Sequence, residues 1–176
     1  LAIVHSDRQA GISLLEDLAK TNKYEITARV LLLDLPEVQQ QDARAQQLVD
    51  EIRKIEGESG LTWRLEQAKL WLNSRDWRAS QQKIVETLQS CLEADADWVA
   101  PALLLGGMYE KLGKLELAKE VYGRVLSVNS AAVDVADRLL TMLERERRFS
   151  EAKEVLDKLS SGSRALSTHR LRTALG

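Results

Sequence analysis

Between Val99 and Ala132, apolar residues recur at intervals of three and four in two runs separated by a glycine. Ala102, Leu105 and Tyr109 fall on one face of a first predicted helix. Gly106 lies beside that stripe, where a missing side chain lets a neighbouring helix come close. A glycine inside a helix costs about 1 kcal/mol relative to alanine, so a packing role is expected. Gly113 would end the helix as a residue free to take the left-handed conformation. A second helix, from about Leu115, turns Ala118, Tyr122, Val125 and Leu126 inward. Two amphipathic helices on so short a turn pack antiparallel, and neither hides its stripe alone, so copies must stack.

The pattern returns along the chain. Ala136, Leu139, Leu140 and Leu143, followed by Phe149, Ala152, Leu156 and Leu159, form a later copy; Leu105 and Leu139 lie 34 residues apart, as do Ala118 and Ala152. Upstream, Ala68 aligns with Gly106, Trp71 with Tyr109 and Trp77 with Leu115, while Ser80 and Ile84 replace Ala118 and Tyr122. About four extra residues, Glu93 to Ala96, follow that copy. Ahead of the break at Gly57 to Gly60, three helices are expected. The first, from Ser6 to Lys20, turns Ala10, Leu14, Leu15 and Leu18 inward as the second half of an incomplete repeat. The second, from Tyr24 to Leu35, uses Ala28, Leu31, Leu32 and Leu35, and Pro36 closes it. Asp34 and Glu37 read as a capping box that starts a third, running to Glu56 with Ala45, Leu48, Val49, Ile52 and Ile55 inward. Ser160 to Ser163 reads as a turn before a last helix, for which covering the end of the stack is favoured over basic binding. The chain is thus read as one helical-repeat domain over 1–176, with repeats at 6–22 (half), 24–57, 61–96, 99–132 and 133–161 and a capping helix at 163–175.

Ala102, Leu105, Gly106, Tyr109, Ala118 and Tyr122, with Ser130 after them, sit at the spacing of a W-x2-L-G-x2-Y, A-x3-F, P repeat. The segment resembles a tetratricopeptide repeat (TPR). The resemblance implies an all-α fold, an α-solenoid of stacked antiparallel helix pairs with a C-terminal capping helix, acting as a protein-protein interaction module or scaffold. In that family the first helices of successive repeats line a concave groove that receives an extended peptide or a helix. By resemblance, Leu65, Lys69, Leu72 and Asn73 would face such a groove, then Leu103, Gly107, Glu110 and Lys111, then Asp137, Thr141 and Glu144. Arg29 and Leu33 would extend the line from the earlier copy. Gly107 has two readings: a gap in the groove wall that admits a partner, or a companion to Gly106 in tight packing. Leu65, Leu103 and Asp137 stand where chaperone-binding members begin a cluster of Lys, Asn and Arg, so a carboxylate clamp is not expected.

Composition narrows the partners. Of 176 residues, 44% are hydrophobic, and 25 Lys plus Arg face 27 Asp plus Glu, which lacks the cationic excess of a nucleic-acid surface. The same balance speaks against an RNA-reading pentatricopeptide array. With no apolar run of 18 residues, no membrane insertion is expected of this segment. Cys91 is single, so no internal disulfide forms, and its place near Leu88 and Leu92 suggests a buried thiol. Because the chain starts at Leu1 and not Met, we expect a processed or excised piece of a longer protein. Cytoplasm is favoured, with a periplasmic or membrane-anchored setting the alternative if a segment precedes Leu1.

Catalytic chemistry is not expected. His5 and His169 lie at opposite ends, with no ligand spacing around either, so neither a metal nor another cofactor is expected. Gly106-Gly107 sits inside a helix and lacks the strand, Lys and Ser/Thr of a phosphate loop. Trp71 and Trp77 are expected in the core, whereas Trp63 and Trp98, at helix starts, are open to either core or partner contact. Glu144 to Arg148 reads as a solvated helix end. The expected partner is a protein or peptide. The alternative is an architectural role, either a homodimer through the stripe Leu14, Leu15 and Leu18 or a spacer in a larger protein.

Overall fold

The structure, a computed structural model, describes residues 2–159, with side chains from Arg8 onward. Those residues form ten α-helices, a short 3-10 turn and no strand, in two compact units that meet in sequence at Ser80 and Gln81. The expected capping helix, its preceding turn and His169 lie outside the described residues.

The first unit holds α1 (Ala2–Thr21), α2 (Ile26–Leu33), α3 (Pro36–Gln39), α4 (Asp42–Glu56) and α5 (Thr62–Asn73), then the 3-10 turn Trp77–Ser80. Helix α2 packs against α1 on one side and α4 on the other, and α4 packs on α5. The core gathers Ala19, Ala28, Leu32, Leu33, Val38, Leu48, Val49 and Ile52, with Ile12, Leu15 and Trp63 against it.

Three sequence expectations change here. Helix α1 turns Ile12, Leu15 and Ala19 inward, while Leu14 is 70% and Leu18 42% exposed. At 3.6 residues per turn a row spaced strictly by four, such as Ala10, Leu14 and Leu18, drifts about 40° per step; alternating steps of three and four stay on one side. In α2, Leu33 is buried and Leu31 exposed, because a helix held between two others hides two adjacent strips. The single helix expected up to Glu56 is instead α3 and α4. Leu35, not Asp34, is the cap of α3, without a side-chain bond, and Pro36 takes its first helical position. The Gln41 side-chain amide donates to the Glu37 carbonyl at 3.0 Å, and α4 restarts with Asp42 in its first turn, where a negative charge suits the helix dipole.

The second unit stacks α6 (Gln81–Ala94), α7 (Val99–Lys111), α8 (Leu115–Val128), α9 (Val133–Arg145) and α10 (Phe149–Lys158), each packed on the next. The 34-residue offset holds in three dimensions: Ala102 and Ala136, Leu105 and Leu139, and Tyr109 and Leu143 are buried pairs. The turns repeat too. Lys114 N–H donates to the Tyr109 carbonyl at 2.9 Å, and Arg148 N–H to that of Leu143 at 2.8 Å. Gly113 (φ 69°) and Arg147 (φ 58°) take the same left-handed conformation at these two helix ends. Phe149, expected inward, is 62% exposed, and its counterpart Leu115 is 41% exposed: each is the first residue of its helix. Cys91 is fully buried on α6 beside Ile84 and Leu88.

Candidate partner-binding surfaces

On α7 two adjacent glycines do different things. A Cβ built on Gly106 would lie 2.2 Å from the Tyr122 ring, so this glycine exists to admit a tyrosine from α8. A Cβ on Gly107 meets nothing within 4 Å. Tight packing therefore does not explain Gly107, and it leaves open space on the helix surface.

The buried tyrosine also positions a carboxylate. Tyr122 Oη donates to Glu110 Oε1 at 2.6 Å. Burial, then the hydrogen bond to Glu110 and its negative charge, push the phenol well above its ordinary value, so it keeps its proton and keeps donating. Glu110 Oε2 lies 3.9 Å from the Arg138 guanidinium of α9.

Between α7 and α9 lies a cleft of about 540 Å³. It brings together four of the residues marked from sequence: Leu103, Glu110, Asp137 and Thr141. Asp134, Arg138, Met142 and Arg145 also line it. Those four were passed over, although Asp134, Arg138, Thr141 and Arg145 are spaced by four, three and four, the signal of one helical stripe. Lys111 is exposed, and Gly107 and Glu144 are half-buried, on the same helices but outside the cleft lining.

In the first unit the marked residues scatter. Arg29, Leu33 and Leu65 are buried at 5%, 3% and 6% exposure, which corrects their placement on an open face. Arg29 is structural. Its Nε donates to Glu51 at 2.8 Å and one terminal nitrogen to the Ala19 carbonyl at 2.8 Å; the other donates to the Glu25 carbonyl, so the guanidinium serves the open carbonyl end of α1. Leu33 and Leu65 are drawn into the packing of their helices. Lys69 is half-buried, 2.7 Å from Glu66 and 3.8 Å from Asp34. Burial raises the Glu66 carboxyl above the usual carboxylate value, and Lys69 offsets part of that rise. Leu72 is half-buried, while exposed Asn73 borders a hollow of about 610 Å³ with Gln46, Gln67 and Trp71. Gln46 and Gln67 exchange amide hydrogen bonds at 2.8 and 3.1 Å, joining α4 to α5.

The charged end of α9 is more than a solvated tip. Lys119, 8% exposed, sits 2.6 Å from both Glu116 and Glu146, and Arg148 joins Glu146 at 3.1 Å and Glu151 at 2.6 Å. Trp71 and Trp77 are half-buried, as are Trp63 and Trp98; the Arg53 guanidinium lies 4.7 Å from the Trp63 ring. Among the described residues no three His, Cys, Asp or Glu side chains gather as a metal site, and no helix is long and apolar enough to cross a membrane.

No protein-family model matches the chain, and no curated protein does. Solved structures do. The crystal structure of MamA superposes with a TM-score of 0.58 at 10% identity, covering 97% of this chain and 94% of that one. That of YrrB, described as a TPR protein with an unusual peptide-binding site, gives a TM-score of 0.52 at 14% identity, covering 98% and 87%. With no strand among the described residues, helix paired on successive helix, and a 34-residue offset kept in burial and in turn geometry, this chain has the all-α fold of tetratricopeptide-repeat proteins.

Proposed function

We propose that this chain is a protein-interaction module that binds rather than catalyses, and that it takes a peptide or helix of a protein partner in the cleft between α7 and α9. The observation that carries this reading is the convergence of Leu103, Glu110, Asp137 and Thr141 on one open cleft. An apolar seat beside a few fixed polar groups suits a protein segment better than a flat solvated face would. The peptide-binding site named for YrrB lends support from the same fold.

Leu103→Glu is the test, because the side chain is half-buried at the cleft and a charge there need not enter the core. The variant should keep its far-ultraviolet circular dichroism spectrum and melting temperature, yet lose the proteins that the wild-type chain captures in an affinity experiment read by mass spectrometry. A folded variant with an unchanged set of captured proteins would remove the cleft from consideration.

A second reading is self-association through α1. Leu14 at 70% and Leu18 at 42% exposure form an apolar pair on its outer side. Light scattering across protein concentration should then show a dimer that Leu14→Glu with Leu18→Glu dissociates. A wild-type chain that stays monomeric would dismiss it.

A further inference from the structure

We propose that the cleft prefers an extended segment carrying a lysine or arginine, whose cationic side chain pairs with Glu110 while its main chain runs across Gly107. This rests on the reading of the α7 and α9 cleft as a binding face.

The two glycines of α7 supply the first step. Gly106 is accounted for inside the molecule, since Tyr122 occupies the volume any side chain would need. Gly107 is not: alanine would fit there without a contact, and alanine is the better helix former. Gly11 and Gly123 are equally open, so it is the place of Gly107 between Leu103 and Glu110 that suits it to an external neighbour, and what a missing side chain admits most closely is another main chain.

Glu110 supplies the second. It follows Gly107 by three residues and so shares its face, and Leu103 precedes Gly107 by four. Tyr122 holds one Glu110 oxygen at 2.6 Å from beneath, while the side chain keeps 24% exposure on the cleft side. The other oxygen has Arg138 at 3.9 Å, beyond hydrogen-bond length, so a closer cation can bind it. Asp134 and Asp137 line the same cleft beside Arg138 and Arg145, so its polar walls are charged on both sides of Glu110.

The spacing on α7 sets the spacing on the ligand. Leu103 and Glu110 are seven residues apart, about 10 Å along a helix, which an extended chain covers in about three residues. The segment should therefore place an apolar side chain on Leu103 and its lysine or arginine two or three positions away.

Panning a phage-displayed random-peptide library on the intact chain, then titrating the enriched peptides by fluorescence anisotropy, tests this. Enriched peptides should share an apolar residue and a lysine or arginine two or three positions apart. Glu110→Gln, which retains an acceptor for Tyr122, and Gly107→Leu, which replaces glycine by a good helix former, should each weaken binding about tenfold or more without lowering the melting temperature. Enriched peptides that lack a cation, or that ignore both substitutions, overturn the inference; if Leu103→Glu still abolishes their binding, the cleft reading survives alone. Peptides that also ignore Leu103→Glu, or a library from which nothing is enriched, overturn both.

Discussion

Gly106 and Gly107 are neighbours that α7 uses in opposite ways, and alanine separates them. Gly106→Ala places a methyl group 2.2 Å from the Tyr122 ring in a closed core, and overpacking of this kind costs about 1 to 3 kcal/mol. Gly107→Ala meets open space and should raise stability by up to about 1 kcal/mol. Urea denaturation of the two variants beside the wild type checks the pair; equal effects would mean that the α7 face is wrongly assigned. Glu66 gives a pH-dependent test at the same scale. Burial lifts its carboxyl above the ordinary value, so the folded chain holds the proton more tightly than the unfolded one. Its ionised form penalises the fold at neutral pH, and the penalty fades as pH falls through the raised value toward the ordinary one. The stability of the wild type relative to Glu66→Gln should therefore improve from about pH 7 to about 4.5. A flat difference would show that Lys69 fully offsets the burial.

Helix ends carry the strongest sign that the second unit repeats itself. Gly113 and Arg147 stand 34 residues apart at the same turn, with φ of 69° and 58°. Glycine adopts that conformation freely, whereas a side chain pays about 1 to 2 kcal/mol for it. Arg147→Gly should stabilise the chain by about 1 kcal/mol, and Gly113→Ala should destabilise it by a similar amount, in thermal or urea unfolding. If Arg147→Gly lowered stability, contacts of the arginine itself would have to outweigh the relief of strain. The turns and the apolar steps of α7 and α9 were legible in sequence because local spacing and tertiary packing agree there. In α1 they disagree: Leu14 and Leu18 look as good a stripe as Leu15 and Ala19, and only the position of α2 decides which is hidden. Arg29 was illegible for a related reason, since its polar head implies solvent until the Ala19 and Glu25 carbonyls and the Glu51 carboxylate are found around it. The capping box at Asp34 failed because Pro36 moved the helix start one residue on. Of the candidate residues, Leu103, Glu110, Asp137 and Thr141 were marked through the resemblance and share one cleft, whereas the absence of tight packing at Gly107 could be seen only by knowing what surrounds its Cα.

At the scale of the chain, each unit hides the apolar sides of successive helices against one another, and in the second unit this leaves the cleft faces of α7 and α9 open. Exposed apolar residues also occur on α8, where Leu117 is 41% and Val128 58% exposed, so hydrophobicity by itself does not single out the proposed face. What distinguishes the cleft is a carboxylate fixed by a buried tyrosine beside an apolar seat. Hydroxyl-radical footprinting of the chain, free and bound to the partner it captures, examines that choice most directly. Binding should shield Leu103 and Arg138 while Leu117 and Val128 are oxidised as before; protection of Leu117 and Val128, with Leu103 and Arg138 unchanged, would contradict it.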